Sequence, residues 1–176
     1  MQLFELKFSK YLMLSVAFLV AALFLGSCDD EEAGVDLIAD MQKNKEAGEK
    51  FLIEKKEQSG VVADPSGLLF EVLEPSSGVK PGATDTVCIH YDGFLTDGKQ
   101  FISKTDTIAM ENLQDGLFIG LRHMNQGAKN KLYIPYYLMY GSSSEEFVFD
   151  EKEIKVMEYS ALVYEMRLDS VIFAKK

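Results

Sequence analysis

Side chains able to do covalent or metal chemistry are few: two cysteines, Cys28 and Cys88, and two histidines, His90 and His123, in 176 residues. Neither pair has CxxC or HxxxH spacing, and a structural zinc site needs four ligands. His90 sits in an alternating strand pattern, where an imidazole more often faces solvent than acts as a base. His123 follows Arg122 and has no nucleophile at a recognisable spacing. The run Ser142-Ser143-Ser144 reads as a turn. No phosphate loop, GxSxG elbow or dinucleotide fingerprint occurs. No motif supports nucleophilic, metal-dependent or nucleotide-dependent catalysis, so neither metal nor cofactor is expected. With 28 acids, 18 bases and a net charge of −10, the chain is ill suited to nucleic acid or anionic headgroups. Its hydrophobic content of 47% is enough for a proper core.

Cys28 has a different chemistry in prospect. Lys7 and Lys10 precede an apolar stretch over residues 11–25, interrupted only by Ser15. The stretch is short of the roughly 20 residues a spanning helix needs, and it suits a signal-peptide core. It ends in Leu25-Gly26-Ser27-Cys28, which resembles a bacterial lipobox, where cleavage precedes the cysteine and its sulfur takes a lipid. Residues 1–27 are therefore expected to be a lipoprotein signal peptide, with Cys28 as the membrane anchor. The alternative is an uncleaved transmembrane segment with a chance cysteine. Lipidation leaves Cys88 unpaired, expected as a small buried hydrophobe. Residues 28–34, with Asp29-Asp30-Glu31-Glu32, read as a solvated acidic tether. The tract also resembles the signal that places some lipoproteins on the outer membrane surface.

The remaining chain supplies the elements. Residues 35–58 read as a helical spacer, with apolar Leu37, Ile38, Met41, Phe51 and Leu52 and an i,i+4 pair of Glu46 and Lys50. The apolar stripe lapses across Lys43, Asn44, Lys45 and Gly48, which suggests light packing on the domain or a spacer role. Turn-formers Ser59-Gly60 and Asp64-Pro65-Ser66-Gly67 mark the boundary. Strands are expected at residues 68–73, 85–91, 131–134 and 161–168, with a hairpin turn at Asp97-Gly98 and one short helix between Asn112 and Met124. The last strand puts Leu162, Tyr164, Met166 and Leu168 on one face. Many strands and one helix read as α+β, a curved antiparallel sheet wrapped on a helix.

Six pieces in register then resemble the FKBP-type prolyl isomerases. Val87-Cys88-Ile89-His90-Tyr91-Asp92-Gly93 is similar to their V-x-V-x-Y-x-G strand, and Leu95-Thr96-Asp97-Gly98-Lys99-Gln100-Phe101 to the hairpin after it. Residues 66–81 resemble the opening strand, and Gly116, Gly120, Met124 and Gly127 the helix and its exit turn. Lys131-Leu132-Tyr133-Ile134-Pro135 with Leu138-Met139-Tyr140-Gly141, and finally residues 162–168, complete the series. The resemblance covers residues 66–173 and implies an FKBP-like isomerase domain with an N-terminal helical extension. It implies proline-containing polypeptides as substrates and a pocket of Tyr91, Phe101, Ile102, Leu113, Gln114, Leu117, Tyr140, Val156 and Tyr164. In that pocket Tyr140 would donate its hydroxyl to a substrate carbonyl, the backbone N–H of Gln114 would be a second donor, and Tyr91, Phe101 and Tyr164 would wall the proline ring.

The pattern departs from the family at the pocket. Ile102 stands where an acid is usual, Leu117 where tryptophan is, and the chain has no tryptophan. Gln114 replaces an apolar residue, residues 103–110 read as a shortened loop, and residues 142–150 replace a Gly- and Pro-rich one. Phe147 and Phe149 either refill the lost wall or cover an edge. Three readings follow: an exported prolyl isomerase that helps proteins fold, a weak or inactive peptide-binding module using the same cleft, or a surface interaction protein.

Overall fold

The computed structural model describes residues 30–175; the segment expected to direct export, and Cys28, lie outside them. A compact unit, Ala39–Lys176, holds every strand and the short helix of the domain. Helix α1 spans Asp30–Lys56. Its described part already takes in residues of the stretch read as a tether. It ends at Lys56, just short of the expected boundary.

Eight strands follow: β1 Val61–Ala63, β2 Leu69–Glu74, β3 Thr86–Leu95, β4 Gln100–Ala109, β5 Lys129–Ile134, β6 Glu145–Phe149, β7 Lys152–Val156 and β8 Leu162–Ile172. Between β4 and β5 lies the short helix α2, Asp115–Arg122. Six strands form one antiparallel sheet in the order β1-β2-β5-β8-β3-β4, and β6 pairs only with β7. The long strands β3 and β8 lie side by side within it, in register from Leu95 opposite Leu162 to Thr86 opposite Ile172 with one bulge.

Alternation decides which face is buried. Val87 and Ile89 of β3, Leu132 and Ile134 of β5, and Leu162, Tyr164, Met166 and Leu168 of β8 all point to one side and are at most 2% exposed. There they meet α2, whose glycines let helix and sheet touch. A Cβ on Gly116 would lie 2.5 Å from Ile134 Cγ2, and one on Gly120 would strike the Leu132 side chain. Asn130 is also buried and finds no hydrogen-bond partner for either side-chain polar atom. Leaving such a group unsatisfied costs about 1–3 kcal/mol. Asn130→Val is therefore expected to stabilise the fold by that order, read as a higher denaturation midpoint at an unchanged slope. A lower midpoint would instead place an ordered water on the amide.

The opposite face of the sheet is covered too. Leu69, Tyr133 and Val163 form a second buried cluster beneath Phe51 and Leu52 of α1. Phe51 meets Tyr133 edge-on at 6.1 Å, and Lys55 Nζ lies over both rings at 5.2 and 5.5 Å. Burial, aided by the charge of Glu71, pushes the Tyr133 phenol up to about 12. Gly48 is buried, and a Cβ there would lie 3.0 Å from that of Ala161. The gap in the apolar stripe is thus a point where the backbone of α1 closes on the domain. A lapse in the pattern permits close packing, and the helix is a covering layer.

A polar latch fixes the approach to β2. Asp64 accepts a hydrogen bond from the Ser66 backbone N–H at 2.8 Å and lies 2.9 Å from His123 Nε2. The Ser66 hydroxyl first, then its backbone N–H and His123, hold the carboxyl down at about 2. The His123 ring stacks on Phe70 at 4.5 Å, so both histidines have structural company: His90 lies 2.9 Å from the Thr105 hydroxyl. Cys88 is free and half-buried, less enclosed than its strand pattern suggested, because its face of β3 is not the core face.

Candidate functional site

An aromatic group assembles where β3, β4 and β8 meet. Phe101, on β4, sets its ring edge-on to Tyr164 of β8, with centroids 5.9 Å apart at 84°. Tyr91 of β3 lies 6.1 Å from Tyr164. The three meet because β3 is paired with both β4 and β8, and alternation turns these positions inward. Gly93 makes the space. A Cβ at that position would lie 2.7 Å from Ile102 Cγ2, 2.8 Å from Phe101 Cζ and 3.1 Å from Tyr164 Cε1. Its backbone is not in the left-handed region, so the requirement is for room rather than for conformational freedom.

The loops bring the rest. Leu117, on the first turn of α2, is 7% exposed and packs into the same core as Val156, which is 0% exposed at the end of β7. Leu113 and Ile102 pack against that core while remaining half-buried. Gln114 is the exposed residue preceding α2; its side chain makes no capping bond and its carbonyl accepts from the Phe118 N–H at 2.9 Å. Among the described residues the backbone N–H of Gln114 has no acceptor, as expected at a helix start. It is available to a ligand.

Tyr140 follows a short 3-10 turn, Tyr136–Leu138, and precedes Gly141, whose φ of +62° turns the chain away. Burial raises the Tyr140 phenol above its ordinary range, while its interaction with the Tyr164 hydroxyl pulls it back. The same interaction, added to deeper burial, pushes Tyr164 far up. A phenol hydroxyl carries one donor and two acceptor sites, so Tyr140 can offer its proton to a ligand carbonyl. Burial also raises Tyr91. All three phenols stay protonated at neutral pH.

All the residues expected in the pocket except the exposed Gln114 belong to this core or pack against it, but two expectations about its surroundings are corrected. Residues 103–110 are not a short loop: β4 runs to Ala109, followed by the 3-10 turn Met110–Asn112. Its polar run Ser103, Lys104, Thr105 suits an edge strand, because only one flank of β4 is paired in the sheet. Residues 142–150 are not an open loop either, since β6 and β7 form a hairpin whose turn residues Asp150 and Glu151 both have positive φ. This hairpin brings a residue the implied pocket did not include. The Phe147 ring lies 4.8 Å from that of Phe101 and 6.1 Å from that of Tyr140. Phe147 thus lies against the aromatic group rather than on a remote edge. Its only signal in the sequence was aromaticity in an otherwise acidic segment.

This arrangement is an apolar floor with one free hydroxyl and one free backbone N–H at its margin, on a curled antiparallel sheet that holds a single short helix. Comparison with known proteins gives the class its name. A model of the FKBP-type peptidyl-prolyl cis-trans isomerases matches residues 78–169, more than half of the chain. The chain belongs to that family. A second model, of the domain amino-terminal to such isomerases, matches residues 28–72 and so takes in α1.

Among curated proteins, the chain is 36% identical over 107 residues to the FKBP-type peptidyl-prolyl cis-trans isomerase FkpA of Aeromonas hydrophila, covering 58% of this chain and 40% of that one. It is 34% identical over 108 residues to the outer membrane protein MIP of Legionella longbeachae, covering 58% and 46%. The chain thus spans less than half the length of these relatives. Among solved structures, Escherichia coli FkpA superposes with a TM-score of 0.71 at 25% identity, over 93% of this chain and 73% of that one. A peptidyl-prolyl isomerase from Pseudomonas syringae gives 0.65 at 27%, over 84% and all of that chain.

Proposed function

We propose that the chain catalyses prolyl cis–trans isomerisation in exported polypeptides, and that a lipid on Cys28 holds it in the cell envelope. The observation that carries the catalytic part is the joint placement of Phe101, Tyr91, Tyr164 and Tyr140 around one floor, beside the free N–H of Gln114.

Rotation about an X–Pro bond breaks amide resonance and faces a barrier of about 20 kcal/mol. No covalent intermediate is required. The twisted amide carries less charge separation than the planar one, so a water-poor aromatic surface favours it over the ground state. In this reading Phe101, Tyr91 and Tyr164 receive the proline ring. Tyr140 donates its hydroxyl proton to a substrate carbonyl, and the Gln114 N–H donates to another, fixing the peptide while the bond turns. Ile102, Leu113, Leu117 and Val156 exclude water. A peptide-binding module of low activity is the second reading, favoured by Leu117, which offers less flat surface than tryptophan, and by the burial of the floor.

The location rests on the lipobox-like Leu25-Gly26-Ser27-Cys28 and on the outer membrane relative. The chain expressed in a bacterium that processes lipoproteins is expected to incorporate labelled fatty acid, and its Cys28→Ala variant to incorporate none. An unlabelled wild-type chain, or a variant labelled as strongly, would sink the lipid anchor. Catalysis is tested separately, by following the conversion of a peptide with a Leu-Pro bond. Acceleration by the purified protein supports the isomerase, and its absence in a folded preparation favours the binding module.

A further inference from the structure

The floor of the site is closed in this structure. Phe101 is 1% exposed, Tyr164 2% and Val156 0%, so a proline ring has almost no surface on them to touch. Phe147 is what lies against Phe101, and it lies near Tyr140 as well. It is carried on β6, the strand of the hairpin that is not anchored by fully buried side chains. Strands β6 and β7 hydrogen-bond to each other and share no ladder with the main sheet. Their stem is pinned by the Tyr159 N–H, which donates to the Gly141 carbonyl at 2.9 Å. Both residues of that pin have left-handed backbone, φ +57° and +62°. A Cβ on Gly141 would meet nothing within 4 Å, so the backbone there has room to turn.

We infer that Phe147 is a gate residue of the prolyl site: its ring occupies the place of a substrate ring in the free protein and must leave before a peptide enters. This rests on the prolyl-isomerase reading above. Turning the Phe147 ring out with a local shift of β6 breaks no ladder of the six-stranded sheet and costs its contacts with Phe101 and Tyr140, while Ile154 and Val156 of β7 stay in the core. The affinity for any peptide is then lowered by the fraction of molecules that are open. Because the gate acts before the substrate is read, it lowers every peptide by the same factor. A wall residue would behave oppositely, favouring some neighbours of proline over others.

The test uses the whole protein, wild type and Phe147→Ala, on a series of peptides differing only in the residue before proline. Val148→Ala is the control, since Val148 is 76% exposed on the same strand. Phe147→Ala is expected to raise kcat/KM by roughly two- to tenfold, the range of one aromatic pair contact, and by the same factor for every peptide. A fall in kcat/KM, or a gain confined to some peptides, overturns the gate and leaves the isomerase in place. If Phe147→Ala loosens the hairpin wholesale, Phe147→Leu keeps an apolar side chain and is expected to give a smaller gain of the same uniform kind. If neither protein isomerises any peptide, the isomerase reading has failed. The gate is then judged by peptide binding, followed through backbone amide shifts: tighter binding to Phe147→Ala supports it, and equal or weaker binding ends it.

Discussion

Phe101→Leu is expected to cut prolyl isomerisation by about 10- to 100-fold while leaving the protein folded. The residue loses a flat aromatic face more than its volume, so the cost to stability stays within about 1.5 kcal/mol, as for a hydrophobic exchange of similar size. The cost to catalysis is larger. Burying a proline ring against an aromatic wall is worth about 1.5–3 kcal/mol, and each 1.4 kcal/mol is tenfold. A companion variant, Tyr140→Phe, removes one neutral hydrogen bond and is expected to cost only about three- to tenfold. The order of the two effects separates an apolar-surface mechanism from one carried by the donor. A Tyr140→Phe loss far exceeding that of Phe101→Leu would shift the account toward hydrogen bonding. Both are read as kcat/KM on one peptide, with thermal melting as the check on folding.

The second large effect is expected at Gly93, and it needs no contact with substrate. Alanine there would put a methyl group 2.7 Å from Ile102 and 2.8 Å from Phe101, inside van der Waals contact on two sides. Its neighbours Phe101 and Tyr164 are almost wholly buried and have nowhere to retreat. Overpacking of this kind costs about 1–3 kcal/mol. The displaced atoms are those of the aromatic floor, so activity is expected to fall by more than about tenfold, even in the folded fraction. Measuring kcat/KM together with the denaturation midpoint of Gly93→Ala distinguishes this from simple unfolding. Full activity in the variant would mean the floor is softer than its packing indicates.

The family motif at this strand thereby acquires a physical meaning. The Tyr91-x-Gly93 spacing places one aromatic on the floor and clears space for two more. The strand itself could be read in the sequence, as could the shared face of Leu162, Tyr164, Met166 and Leu168 on β8 and the turn at Asp97-Gly98, but not the room that Gly93 makes. In each case a period of two, or a residue suited to positive φ, makes the structure a local property of the chain.

The features that escaped the sequence depend on partners far away along it. Gly48 looked like a defect in an amphipathic helix until Ala161 was found against it. The strand β4 continues through Ser103, Lys104 and Thr105, a run with no apolar signal, because its partner β3 supplies the pairing and its outer flank faces solvent. The β6–β7 hairpin turns at Asp150-Glu151, where neither residue is glycine, so the usual punctuation is missing. Its one informative residue, Phe147, is recognisable only after Phe101 and Tyr140 have been placed. The resemblance named the aromatic residues Tyr91, Phe101, Tyr140 and Tyr164, but not the Phe147 ring that lies against Phe101.

The central claim is that the aromatic floor turns X–Pro bonds, and exchange spectroscopy tests it most directly. Uncatalysed isomerisation takes tens to hundreds of seconds, so a proline peptide alone shows separate cis and trans signals with no cross-peaks between them. Adding a substoichiometric amount of the protein is predicted to produce cross-peaks, stronger with Phe147→Ala and lost with Phe101→Leu. Cross-peaks absent with both wild type and the Phe147→Ala variant, in folded preparations, would contradict the account and leave a peptide-binding domain in its place.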